Sequence, residues 1–515
     1  MASRKRNYTL SVVTGYIVTL VGSLLGLWLT PYSLQFLSRE AFGIITLSGT
    51  LILWMGLLDI GITTGFRTHM ARETGKLNAD DYNRYASTTY FSQLGIAAAV
   101  LALGALLAVG FPSFFEVSPE LRDDAALTFM LLVVGTAANL GLHTFSAILW
   151  AHQQIHVDNL VKLLMFAVRT IAAVIFLNLG FGVMSLALGN LCAIILAGVL
   201  AVQRVYRIVP DLKLRPLFYR WSILKGIART GLWLSLGSLA GLVIQSVDTT
   251  VAARLVSLEA VTIYALTHRL YSTLQQMLDP LINNARPGLG QLMGQGKLDQ
   301  ALRTYQRLVR ISVGVCVVGA LTLWAVNRTF MLAWVGAENY GGIWLDLAFA
   351  LNLIANTWNL PNRAVLTANL QVRQQTLARL VEAALNLTLS ILLTLQFGLI
   401  GVVISTTLAA ISTTSLYLPY LTAKMFNRPF WRFLAAESTP QLLLLAAMFP
   451  LSFVARWAAE SIGGYPGVVI GAAVGGLLGL AAMWIISFDA DLRAQFTQLA
   501  GQVFSRVRRT VTRSA

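Results

Sequence analysis

The segment LSREA at residues 37–41 returns as VSLEA at residues 256–260, about 220 positions further along the chain. Three more pairs of segments keep the same order and nearly the same offset. The first two pairs are LD at 58–59 with LD at 278–279, and GKLN at 75–78 with GKLD at 296–299. In the third pair, Ala151, Gln154, Leu160 and Lys162 correspond to Ala368, Gln371, Leu377 and Arg379. Several matches in one order at one offset indicate an internal repeat. We therefore predict two homologous halves.

Long apolar runs fill both halves. The 515 residues are 56% hydrophobic and 12% charged, with a mean hydropathy of +0.69. Soluble proteins carry about 25% charged residues, so this composition excludes a soluble enzyme, a disordered chain and a disulfide scaffold. A transmembrane helix needs about 20 mostly apolar residues. We predict fourteen spans, at about 9–35, 41–66, 86–111, 125–150, 158–178, 182–204, 228–253, 259–284, 308–332, 342–366, 374–396, 399–424, 439–458 and 464–487.

The repeat and the spans together predict the architecture. Each half contains six spans, an even number, so the two halves have the same topology in the membrane. We predict an all-α polytopic membrane protein with an N-lobe at 1–205 and a C-lobe at 228–425. A basic amphipathic linker at 206–227 joins the lobes. Two further helices at 439–487 and a basic tail at 488–515 follow the repeat.

The last predicted span carries four glycines at intervals of four residues. They are Gly467, Gly471, Gly475 and Gly479. A strip without side chains lets a neighbouring helix approach closely. We expect the thirteenth span to be that neighbour.

Basic residues predict the orientation. The chain has 38 Lys and Arg residues against 22 Asp and Glu residues, a net charge of +16. With the N-terminus in the cytoplasm, the outside loops hold only Arg39, Arg122, Arg254 and Arg328. Loops rich in Lys and Arg stay on the cytoplasmic side. We therefore predict a protein of the inner membrane with both termini in the cytoplasm. This orientation explains the excess of basic residues, and we do not expect a nucleic-acid partner.

Short motifs in both halves resemble those of a known family. They are LLDIG at 57–61, TGLWL at 230–234, QSVD at 245–248 and IYAL at 263–266. The chain resembles the polysaccharide-transporter family, and within it the Wzx-type flippases for lipid-linked oligosaccharides. This family belongs to the MOP superfamily, together with the MATE multidrug exporters and the peptidoglycan-precursor flippases.

The resemblance implies two six-helix lobes in a V around a central cavity, with alternating access. The extra C-terminal helix pair is similar to that of the fourteen-helix peptidoglycan-precursor flippases. The implied substrate is an undecaprenyl-pyrophosphate-linked oligosaccharide, such as an O-antigen or exopolysaccharide repeat unit. We expect no cofactor, and energy from an Na⁺ or H⁺ gradient or from the membrane potential. Expected partners are anionic lipids at the linker and the tail and polysaccharide polymerase or export proteins, and we favour a monomer.

Arginines inside the predicted spans are candidates for substrate binding. A charge at the centre of a span is costly and usually faces the bundle interior. Arg269 lies about ten residues into the eighth span beside His268 and Tyr271, and Arg169 lies midway along the fifth. A guanidinium offers phosphate oxygens a planar fork of donors. The alternatives are a structural pair between Arg269 and a carboxylate such as Asp248, and an Arg169 side chain that extends to the membrane surface.

Carboxylates inside the spans have two possible roles. Asp248 stands among hydroxyl and amide side chains, and it is either an ion-coupling site for Na⁺ or a proton or a hydrogen-bonded polar helix end. Arg379 and Glu382 share one face of the eleventh span at i, i+3. Because this pair cancels its own charge, it favours a structural role.

Two Asp–Arg pairs occupy equivalent places in the two halves. Asp59 precedes Arg67, and Asp279 precedes Arg286, by about two helical turns, so each pair lies on nearly one face. We favour a structural ion pair at the cytoplasmic end of each lobe, because such pairs also occupy apparently functional positions. The alternative is a cytoplasmic gate that opens and closes during transport.

The sequence lacks the usual signatures of catalysis. It has no GxxxxGK[ST] loop, no HExxH motif and no Cys/His cluster, and we expect no disulfide between Cys192 and Cys316. We therefore predict that the chain is not an enzyme. Two alternatives to a flippase remain. A MATE-like drug/cation antiporter would need an acidic, aromatic cavity, and a membrane glycosyltransferase or ligase would need an acidic pair that faces outside.

Overall fold

The structure, a computed structural model, describes residues 2–59, 62, 66, 79–152, 154–283, 285–369, 371–494 and 497–498. These residues form sixteen α-helices, and no β-strand occurs among them. The helices are α1 Ala2–Leu34, α2 Arg39–Met55, α3 Ala79–Phe114, α4 Arg122–Ala151, α5 Ile155–Asn178, α6 Met184–Ile208, α7 Trp221–Leu255, α8 Leu258–Asn283, α9 Arg286–Gly294, α10 Leu298–Trp334, α11 Ile343–Ala368, α12 Val372–Phe397, α13 Leu399–Ser412, α14 Thr414–Met425, α15 Phe430–Ile462 and α16 Gly464–Ile486.

Ten helical segments of the described residues are long and apolar enough to cross a membrane. Every predicted span overlaps a described helix. The second span, at 41–66, is described as a helix only as far as Met55, and Thr413 separates α13 from α14 within the twelfth span. The predicted spans at α2, α7, α8 and α11 lie outside the set of ten. The all-helical membrane fold is therefore confirmed, and the count of fourteen spans stays a prediction.

The repeated segments at 37–41 and 256–260 begin two helices in the same way. The Ser38 hydroxyl accepts a hydrogen bond from the Ala41 amide (3.1 Å) at the start of α2. The Ser257 hydroxyl accepts one from the Ala260 amide (3.0 Å) at the start of α8. A serine cap of this kind stabilises a helix by about 1 kcal/mol. Equivalent serines thus cap the N-termini of equivalent helices in the two halves.

The chain forms two compact units. Unit 1 comprises described residues within 1–265 and 379–405, and unit 2 comprises those within 266–378 and 406–515. Helix α7 and most of α12 belong to unit 1, although the sequence repeat assigns both to the predicted C-lobe at 228–425. The bounds of the two predicted lobes stay a prediction.

Unit 1 is held by packed helix pairs and by a linker that is tied down. Helix α3 packs on α4, and α6 packs on both α4 and α5. The linker backbone pairs with polar side chains of α3: the Asn83 carboxamide accepts from the Lys213 amide (2.8 Å) and donates to the Asp211 carbonyl (3.2 Å). The Thr88 hydroxyl accepts from the Arg220 amide (3.0 Å). The predicted linker therefore follows a fixed path over α3.

Unit 2 is built around α10, a helix of 37 residues. Helices α11, α15 and α16 all pack against it. The glycine strip of α16 is buried and faces α15 as expected, and it also faces α10. A Cβ added at Gly471 would lie 2.6 Å from the Ala459 Cβ, and one added at Gly475 would lie 2.9 Å from the Thr322 hydroxyl. Close packing explains why these positions are glycines.

Candidate functional site

Arg269 lies in the middle of α8, as the sequence predicts, and its side chain is half buried. Its Nε is buried without a hydrogen-bond partner among the described residues. The hydroxyls of Ser272 and Thr273 donate to its backbone carbonyl (2.8 and 3.0 Å) rather than engaging the guanidinium. A half-buried guanidinium with an unused donor is suited to a phosphate oxygen.

The two predicted neighbours of Arg269 differ in their surroundings. The His268 ring lies tilted against Phe349 of α11, with 4.7 Å between the ring centroids, and is half buried. Tyr271 is fully buried, and its hydroxyl donates to the Asp346 carboxylate (2.8 Å). The polar atom of Tyr271 is therefore already engaged by Asp346. Its predicted contact with substrate stays a prediction.

The sequence prediction missed Asp346. This residue is fully buried in the first turn of α11 and accepts three hydrogen bonds. The donors are the Tyr271 hydroxyl, the Asn327 carboxamide (2.7 Å) and the Tyr340 hydroxyl (3.0 Å). Burial also raises the pKa of Tyr340, which lies in the loop before α11, and the Asp346 charge adds to the effect. The rule that selected Arg269, a charge within an apolar run, would also have selected Asp346.

Asp248 is a second buried carboxylate, and it belongs to unit 1. It is 5% exposed and accepts a hydrogen bond from the Tyr264 hydroxyl (2.8 Å). The next residue, Thr249, donates to the hydroxyl of Thr50 on α2 (3.1 Å). Asp248 is thus a hydrogen-bonded polar group between helices. This geometry agrees with both predicted roles, an ion-coupling site and a hydrogen-bonded polar helix end. A buried carboxylate with a tyrosine donor can hold a proton or a small cation.

Arg169 is exposed on α5 in unit 1. Its neighbour two turns earlier, Lys162, is also exposed and forms an ion pair with Asp158 (2.8 Å). The side chain of Arg169 is therefore accessible from outside the packed helices. Exposure agrees both with a position on a water-filled cavity and with extension to the membrane surface.

Only one of the two predicted Asp–Arg pairs, Asp279 and Arg286, has both side chains among the described residues. Asp279 interacts electrostatically with Arg286 and with Arg363. Burial lowers the pKa of the Arg286 guanidinium, and the Asp279 charge opposes that effect. The side chain of Asp59 and the whole of Arg67 lie outside the described residues. The equivalence of the two pairs therefore stays a prediction.

Arg379 ties α12 to α7 within unit 1. Its guanidinium donates to the carbonyl of Gly237 (3.0 Å) and covers Gly241, where an added Cβ would overlap it. Glu382 is buried one turn further along α12, and the Asn386 carboxamide donates to the Ile244 carbonyl (3.4 Å). Two polar side chains on one face of α12, Arg379 and Asn386, thus contact one stretch of α7. This arrangement is suited to holding two helices together.

Three comparisons relate this chain to known proteins. Residues 11–293, somewhat more than half of the chain, match the family described as polysaccharide biosynthesis protein. The probable flippase AglR of Haloferax volcanii is 21% identical over 424 residues, which cover 79% of this chain and 81% of AglR.

Two solved structures share the fold. The first is an inward-facing multidrug resistance MATE family transporter of the MOP superfamily, with a TM-score of 0.66, 16% identity, and coverage of 80% of this chain and 95% of that chain. The second is the lipid II flippase MurJ in an inward closed conformation, with a TM-score of 0.65, 15% identity, and coverage of 93% and 98%.

Proposed function

The chain belongs to the family of polysaccharide biosynthesis proteins, and from this premise we propose that it is a flippase for an undecaprenyl-pyrophosphate-linked oligosaccharide. It would carry an O-antigen or exopolysaccharide repeat unit from the inner to the outer leaflet of the inner membrane. The similar proteins include a probable flippase and transporters, which supports the prediction that the chain is not an enzyme.

Arg269 is the observation that carries the substrate class. A lipid-linked sugar has a pyrophosphate between its lipid and its glycan, and this group is the most strongly charged part of the substrate. The half-buried guanidinium of Arg269 keeps its Nε without a partner in the described part of the chain. Arg169 is the second candidate, and His268 borders the same part of α8. A drug/cation antiporter would favour carboxylates at this place.

The proposed architecture follows from the sequence repeat and the shared fold. Two six-helix lobes and a C-terminal helix pair make fourteen spans, with both termini in the cytoplasm. The fold match to MurJ covers 93% of this chain and that to the MATE transporter 80%. This difference in coverage supports an architecture with the extra helix pair.

Energy for transport would come from an ion gradient or from the membrane potential. Asp248 is the coupling site predicted from the sequence, and Asp346 is a second candidate that is equally buried. Each accepts hydrogen bonds from tyrosine hydroxyls. A carboxylate in such a place can release and bind a proton or a cation as its surroundings change.

Deletion of the gene tests the proposal in the cell. We expect the polysaccharide at the cell surface to disappear while its complete lipid-linked precursor accumulates in the inner membrane. An incomplete precursor would indicate a glycosyltransferase, and an undiminished polysaccharide together with raised sensitivity to cationic drugs would indicate an antiporter. Either of these results would contradict the proposed function.

A further inference from the structure

A cavity of about 450 Å³ lies at the base of α15 in unit 2. It is bounded by the first two turns of α10, by the connection between α14 and α15, and by the first turns of α15. Its lining includes Arg303, Arg428 and Arg432, together with Gln306 and Glu437. This part of the chain lies outside the sequence repeat for the most part, and the proposed transport function makes no use of it.

The three arginines outnumber the two carboxylates of the lining, Asp299 and Glu437, and make the cavity attractive to an anion. Arg303, Arg428 and Arg432 are exposed, and none of them forms an ion pair within the described residues. Arg310, one turn beyond Gln306 on α10, is instead bound to Asp489 (2.6 Å). Guanidinium groups that are not neutralised by carboxylates bind phosphate strongly and with defined geometry.

A buried carboxylate on the cavity wall adds a second requirement for the ligand. Glu437 is 2% exposed. Its Oε1 accepts a hydrogen bond from the Gln306 carboxamide (2.7 Å), while its Oε2 has no hydrogen-bond partner in the described part of the chain. A buried acceptor without a donor is costly. A ligand that brings an N–H or O–H group to Oε2 would remove that cost.

Exposed aromatic side chains indicate the depth of the cavity in the membrane. Trp431, next to Arg432, is 74% exposed, and Tyr417 and Tyr420 on α14 are more than 40% exposed. Tyrosine and tryptophan concentrate where lipid headgroups meet the acyl chains. The cavity therefore opens at headgroup level, and basic pockets between helices at that level bind phospholipid headgroups.

We propose that this cavity binds the headgroup of a membrane phospholipid that carries an N–H or O–H donor beside its phosphate. The arginines contact the phosphate, and Glu437 accepts from the donor. Phosphatidylethanolamine and phosphatidylglycerol have this combination. Phosphatidylcholine has the phosphate but no such donor, because its nitrogen is fully methylated. The site is independent of the proposed transport function.

Native mass spectrometry of the purified full-length protein tests the site. Delipidated protein receives each of the three phospholipids in turn, with matched acyl chains. We expect phosphatidylethanolamine and phosphatidylglycerol to bind about tenfold more tightly than phosphatidylcholine, the effect of one hydrogen bond to a charged group. Equal binding of phosphatidylcholine would overturn the proposal.

Three variants separate the two parts of the site. Arg428→Ala and Arg432→Ala should each weaken binding of all three phospholipids by about tenfold. Glu437→Gln keeps an acceptor for Gln306 and should reduce the preference over phosphatidylcholine to about twofold or less. Arg373→Ala, an exposed arginine in the first turn of α12 and outside the cavity, the linker and the tail, is the matched control and should bind all three phospholipids like the wild type.

The source of the phosphate is tested separately. Millimolar inorganic phosphate should leave the bound phospholipid in place, because the lipid is also held by its position in the membrane. Displacement of the lipid by inorganic phosphate would show a site for a free anion and would overturn the assignment to a lipid. Wild-type binding of phospholipid by both Arg428→Ala and Arg432→Ala would also overturn the proposal.

Discussion

Replacing Arg269 by alanine should weaken binding of the pyrophosphate group without unfolding the protein. The guanidinium is half buried and its Nε has no partner in the described residues, so its removal leaves no buried acceptor unpaired at that atom. A hydrogen bond to a charged group contributes about 1.5–3 kcal/mol. Loss of one such bond weakens binding and makes the dissociation constant roughly ten to a hundred times larger.

Binding of undecaprenyl pyrophosphate to the purified protein measures this effect without knowledge of the sugar. Arg269→Lys should recover part of the affinity, because lysine keeps the charge and loses the planar fork. Undecaprenol, which has no pyrophosphate, should bind Arg269→Ala and wild type equally. Unchanged affinity of Arg269→Ala for undecaprenyl pyrophosphate would refute the role of Arg269, and Arg169 would become the next residue to test.

Three further predictions concern the hydrogen bonds of Asp346, helix packing and topology. Asp346→Asn should lower stability by about 1–3 kcal/mol, because a carboxylate with three donors is replaced; an unchanged thermal midpoint in detergent would contradict this. Gly471→Val should cost about 1–3 kcal/mol by overpacking against α15, whereas Gly476→Ala, which meets nothing within 4 Å, should unfold like the wild type. In a cysteine-free background, single cysteines at 333–341 should react with an impermeant reagent from outside and one at Gly296 should not; the reverse pattern would invert the proposed topology.

Local and periodic features of this fold were accessible from the sequence. The repeated LSREA and VSLEA segments predicted equivalent places in two halves, and their serines cap α2 and α8 in the same way. The glycine spacing of the last span predicted a close helix contact, which α15 and α10 both supply. Short-range spacing carries this information, because a cap or a helix face involves residues a few positions apart.

Features that depend on distant residues were not accessible in this way. The Asp346 cluster joins side chains at 271, 327, 340 and 346, and no spacing in the sequence marks their meeting. The tie between Arg379 and the Gly237 carbonyl likewise joins helices 142 positions apart. Single charges in apolar runs were the available signal. They predicted the mid-helix position of Arg269, which the structure has, but they could not separate a buried partner from an open surface, and its contact with substrate stays a prediction.

Transport of a fluorescent undecaprenyl-pyrophosphate-linked oligosaccharide in proteoliposomes tests the central proposal most directly. The purified protein is the only protein present, and a membrane-impermeant quencher reports how much substrate remains in the outer leaflet. We predict protein-dependent exchange between leaflets that an imposed ion gradient or membrane potential accelerates and that Arg269→Ala slows. Identical quenching in protein-free and protein-containing vesicles, with the protein shown to be folded, would contradict it.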